Sequence, residues 1–202
     1  MNRCHAFILP RWARAARRIF FRALFAVGLC AIVAWPPSVR ADETAERKVK
    51  TACVPHLAGF VTWPEKTFAT PTDPIRIGVL GEFPLDADFE AALAKQTAQG
   101  RKLVVAHFTT VDAALGCHVL LVGASETLPL KTILAATAGK PILTIGDHEG
   151  FAAQGGVINF IREQGKVRFE INLGTAGAAG LKISSKLLQV ARIIPSSAKE
   201  KS

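Results

Sequence analysis

The chain has 202 residues, half of them hydrophobic, with 25 Lys and Arg against 16 Asp and Glu and a formal charge of +9. That excess is local: residues 1–41 hold seven basic residues (Arg3, Arg11, Arg14, Arg17, Arg18, Arg22, Arg40) and no acidic one, so from Asp42 onward 18 stand against 16, a net +2. Charge therefore gives no reason to expect nucleic-acid binding, and the 161 residues from Asp42 suffice for one ordinary domain with a core of its own.

Within residues 1–41 the arginine-rich start leads into a 13-residue apolar run, Ala23 to Trp35, and then PPSVRA, with Val39 and Ala41 in the two positions that signal peptidase reads. This is the layout of a cleavable export signal. The run falls short of the roughly 20 apolar residues of a membrane span, and Leu29 ahead of Cys30 does not suit a lipoprotein cleavage site. Paired arginines in RRIFFRA leave two routes open, general secretory and twin-arginine. Both predict a mature chain outside the cytoplasm that does not itself span the membrane. Its folded domain is expected at 42–194, and the polar PSSAKEKS at 195–202 reads as a disordered tail. Cys4 and Cys30 leave with the signal. Cys53 and Cys117 remain, either as one disulfide in an oxidising compartment or as two buried thiols, and their spacing is not that of a metal site.

From Thr44 to Val61 the pattern is helical, with Ala45, Val49, Ala52, Leu57 and Phe60 near one side, Glu46, Arg47 and Lys50 on another, and Pro55 predicting a kink or restart. WPEKTFATPTDP is a Pro/Thr loop. Strands are predicted at 75–81, 102–108, 117–123 and 141–147, with helices near 85–98 and 126–138. Short apolar runs separated by helices predict an α/β fold: a mostly parallel, doubly wound sheet of about four strands with helices on both faces. Strands at 157–162 and 166–173, joined by a turn around Gln164 and Gly165, predict an antiparallel hairpin closing one edge. A final helix is expected over LKISSKLLQVARII, residues 181–194. Ser184 interrupts its buried stripe, and its hydroxyl would bond either to the carbonyl one turn earlier or to Asn172 or Glu170.

No catalytic constellation stands out. The sequence has no G-x-S-x-G, H-E-x-x-H or Walker A motif, and its histidines beyond the signal (56, 107, 118, 148) are isolated from one another. GTAGAAG at 174–180 lacks the dinucleotide spacing, so small residues for close helix packing explain it better. Asp147, His148 and Glu149 are consecutive in one loop and read as solvated, so neither a metal nor a cofactor is expected. The carboxyl edge of the parallel sheet would carry Glu82, Ser125 and Asp147, a candidate ligand edge on fold grounds.

Taken together, GFVTWPE (59–65), RIGVLG (76–81), GCHVLLVG (116–123), PILTIGDHEGFAAQGGVINF (141–160), VRFEINL (167–173) and GLKISSKLLQVARII (180–194) resemble the YfiR family across nearly the whole mature chain. The resemblance implies a periplasmic α/β protein, often a homodimer, without enzymatic activity. It implies action on an inner-membrane signalling partner, which in the family's named member is a diguanylate cyclase held inactive through its periplasmic domain. Trp63, Gly155, Gly156, Asn159 and Ser184 match family signatures. Glu170, Asn172, Lys182, Ser185 and Lys186 match polar signature positions that packing does not explain, which suits partner contact or intramolecular ion pairing. The alternative function is a periplasmic small-ligand-binding protein that serves a sensor kinase or transporter.

Overall fold

The apolar runs at 75–80, 119–122 and 143–146 become strands buried on both faces. A computed structural model describes residues 38–123 and 129–195, and the four predicted parallel strands are β2 (Ile75–Leu80), β4 (Arg101–Phe108), β5 (Val119–Val122) and β6 (Leu143–Gly146). All four side chains of β5 are buried and they alternate. Val119 and Leu121 join one core cluster with Val54, Leu57 and Ala58 of α1 (Ser38–Gly59) and Phe89 and Leu93 of α2 (Phe89–Ala94). Leu120 and Val122 join a second cluster with Val111 and Ala114 of α3 (Val111–Ala114) and Ile133 and Leu134 of α4 (Leu130–Thr137). Helices therefore cover both faces.

The sheet is larger than expected. It has eight strands in the order β10-β8-β7-β6-β5-β2-β4-β3, where β3 is Thr97–Ala98, β7 Ile158–Glu163, β8 Lys166–Asn172 and β10 Ala191–Ile194. The run β4-β2-β5-β6-β7 is parallel throughout, and only β7 with β8 and β3 with β4 pair antiparallel. The hairpin forms as predicted, with Gln164 at φ 51° and Gly165 at φ 74° as the two central residues of a two-residue turn. It does not close an edge. β7 continues the parallel sheet and β10 pairs parallel outside β8.

The final helix is the main correction. Residues 181–194 form a short strand β9 (Lys182–Ile183), one helical turn α6 (Ser185–Leu188) and the edge strand β10. The 3.6-residue periodicity there is outweighed by tertiary pairing. Lys182 and Ile183 pair with Thr62 and Val61 of β1 (Val61–Thr62), and the β-branched Ile193 and Ile194 pair along β8. Ser184 makes neither expected bond. It caps α6, its Oγ accepting from the Lys186 N–H at 3.4 Å.

The predicted helix at 85–98 likewise shrinks to α2, after which Gln99 (φ 53°) and Gly100 (φ 75°) turn β3 into β4. The Gln99 side chain then donates to the carbonyls of Ala58 and Val61, closing the end of α1.

Helix α1 runs unbroken through Pro55. Its inward face is Lys50, Val54, Leu57 and Ala58, while Val49, Ala52 and Phe60 are exposed. The predicted stripe was thus rotated, because a lysine on the inner face found carboxylate partners.

Candidate functional site

Lys50 is 5% exposed, and its ammonium lies 2.5 Å from Glu46 Oε1, one turn back on α1, and 2.6 Å from Asp147 Oδ1, just past β6. Burial pushes the Asp147 carboxyl above its usual range, opposed by the Lys50 contact, and burial lowers the neighbouring His148. Arg162 on β7 reaches across to Asp42 and Glu46, so ion pairs tether the first turns of α1 to the sheet. Beside this tether is an open cleft of about 430 Å³, lined by Asp147, His148, Phe160, Arg162, Glu170 and Arg192 among others.

Of the residues assigned to the ligand edge, Asp147 lines that cleft. Glu82 is exposed just past β2, and Ser125 lies outside the described residues. The strand order reverses between β2 and β5, where a doubly wound sheet commonly opens a crevice. Here a Cβ added to Gly123 would collide with the backbone of Glu82 and Phe83. The chain segments meet backbone to backbone at that point.

The family-signature residues take mostly structural roles. Trp63 is buried, with its ring edge-on to Phe68. Gly155 adopts φ 113°, open only to glycine without strain, and a Cβ on Gly156 would fall inside contact distance of the Phe151 ring. Asn159 is fully buried and donates from Nδ2 to Glu170 Oε2 at 3.2 Å.

The five residues assigned to partner contact separate into two groups. Glu170 and Asn172 point inward and use their polar atoms within the domain. Glu170 is 6% exposed and pairs with Asn159 and with Arg192 across β10. Asn172 donates from Nδ2 to the Ala152 carbonyl at 2.8 Å, and its Oδ1 accepts from the Thr175 N–H at 2.9 Å, capping α5 (Leu173–Ala178). Lys182, Ser185 and Lys186 are exposed and gather around the β1–β9 ladder. The Phe60 carbonyl accepts from the Ser184 N–H at 2.9 Å there, which places Phe60 beside them. The helical pattern set Phe60 on one side with Leu57, whereas the helix ends at Gly59 and leaves Phe60 exposed.

Cys53 and Cys117 are free thiols, and burial raises both. Cys53 packs against the cluster that contains Ile77 and Val79. Cys117 lies on the opposite face, its Sγ 2.6 Å from where a Cβ on Gly78 would stand. The sheet separates them, so the disulfide alternative fails on geometry.

Among the described residues no group of three His, Cys, Asp or Glu is arranged to hold a metal ion, and no helix is long and apolar enough to cross a membrane. A family model described as YfiR/HmsC-like matches residues 47–192, well over half of the chain, and the chain belongs to that family. No curated protein matches it.

Proposed function

We propose that this member of the YfiR/HmsC-like family is a regulator exported to the periplasm, where it binds the periplasmic part of an inner-membrane diguanylate cyclase and represses it, controlling cyclic di-GMP. The observation that carries this reading is the reach of the family match, which runs from within α1 to β10. The signal-like residues 1–41 supply the route, cleaved after Ala41, with a working domain at 42–194 and a polar tail at 195–202. An exported domain reaches cytoplasmic signalling only through a partner that crosses the membrane, and contact with that partner is the action proposed. Deleting the gene in its source cell should raise cyclic di-GMP, and an unchanged level would refute the assignment. Amino-terminal sequencing of the periplasmic form should begin at Asp42.

A second reading is favoured by one observation, the cleft that Asp147 lines. A periplasmic small-ligand-binding protein serving a sensor kinase or transporter would use it. A thermal-shift screen would then yield a small molecule whose effect is weakened by Asp147→Ala.

A further inference from the structure

Phe60 is the one aromatic side chain among the exposed large hydrophobic residues described, at 36% relative exposure. It cannot turn far from its neighbours, because its backbone is bonded to Ser184 and the next two residues pair with β9. Thr62 lies opposite Lys182 in that ladder, and Lys186 follows within the single turn of α6. Neither lysine makes an ion pair among the described residues, and both are exposed. Glu65 and Lys66 stand side by side at the border, where Pro64 packs on Gly180, and cancel in charge. The result is an exposed ring on the strand pair that carries the unneutralised Lys182, with Lys186 in the turn that follows, assembled from segments more than a hundred residues apart.

We infer that this face is a docking surface for an acidic segment of the membrane partner, one that sets an apolar side chain on Phe60 and carboxylates on Lys182 and Lys186; the inference rests on the regulatory reading above. Charge complementarity selects this occupant. A second copy paired about a two-fold axis would set a lysine-bearing face against itself. An anionic lipid surface is read by clusters of about four to eight basic residues, and here there are two.

The test uses the full chain in source cells that lack the chromosomal copy, with p-benzoylphenylalanine in place of Phe60. Irradiation should cross-link a membrane protein, and the cross-linked tryptic segment should carry at least two Asp or Glu around an apolar residue. Lys182→Glu with Lys186→Glu should cut the yield about tenfold or more, since each exposed pair turns from attraction to repulsion. Lys182→Arg with Lys186→Arg should keep it. Equal melting temperatures would show that the variants fold. A cross-link only to this chain or to lipid, to a segment without carboxylates, or none at all would overturn the inference, as would an unchanged yield in the double Glu variant. The two proposals fail separately. If deletion raises cyclic di-GMP but Phe60→Ala and the double Glu variant still repress, the face is wrong and the regulatory reading stands. If deletion leaves cyclic di-GMP unchanged while the acidic cross-link persists, the face stands and the cyclase assignment falls.

Discussion

The two ends of the sheet are built on different principles. Within β2, β5 and β6 the interior is apolar: Ile75, Ile77, Val119, Leu120, Leu121, Leu143 and Ile145 are fully buried, and Thr144 is the buried polar side chain of these strands, accepting from the Val157 N–H. Around β7 and β8 the same depth holds a polar pair in register, Asn159 opposite Glu170, and the exposed Arg192 of β10 stands opposite Glu170 at the edge. The first region is stabilised by area removed from water, which is non-directional. The second is held by directed bonds, where leaving one partner unpaired costs more than making the bond gained. The apolar half can therefore be read residue by residue, while the polar half has meaning only in pairs.

The largest expected effect tests the apolar half. Leu121→Ala should lower unfolding stability by about 3 kcal/mol, the usual cost of a large-to-small change in a packed core, measured by chemical denaturation. A cost under about 1 kcal/mol would show that this half is not the tightly packed one. Next, Glu170→Ala should cost about 2 kcal/mol, because the buried Asn159 Nδ2 loses its acceptor while the exposed Arg192 returns to water. Glu170→Gln should recover part of that. Equal losses from both would mean that the packed volume of the side chain matters and its bonds do not.

A smaller effect comes from pH. His118 is 5% exposed, its Nδ1 accepts from the Arg76 N–H at 2.9 Å, and its ring stacks on Phe68. Burial, with the Arg76 and Arg101 charges, holds its pKa below 6.5, so the native ring is neutral. The unfolded chain binds the proton first. Stability should be lost as pH falls through about 6.5 toward the lower native value and level off beneath it. His118→Asn should flatten that step in thermal melts taken between pH 8 and 5. His148 adds to the wild-type slope and Asp147 opposes it, so the difference between the two proteins isolates His118. Smallest of all, Cys53→Ser should leave the melting temperature unchanged by reducing agent, as in the parent, because no disulfide joins the faces.

The two halves also differed in how far they were legible. The strands at 75–80, 119–122 and 143–146 declare themselves, since an apolar run bounded by turn residues is stable as a strand wherever both faces are covered. The hairpin declares itself as well, since Gln164-Gly165 supplies two positive φ angles locally. Gln99-Gly100 is the same dipeptide in the same turn, and it was hidden by a helical reading of the residues before it. Residues 181–194 misled because their periodicity suits a helix, while the open edge of β8 and the β1 segment offered them backbone pairing that no local pattern encodes.

The sequence by itself determined the class of fold, the separation of the wholly basic charge of the first 41 residues from a nearly neutral remainder, and the family. These rest on composition and short-range pattern, which are properties of neighbouring residues. Only the tertiary structure decided that Lys50 points inward, that Glu170 and Asn172 serve the interior, that the cysteines are kept apart, and that Phe60 stands beside Lys182 and Lys186. Whether a charged side chain is buried depends on a counter-charge elsewhere, and for Lys50 that counter-charge is Asp147, 97 residues along the chain.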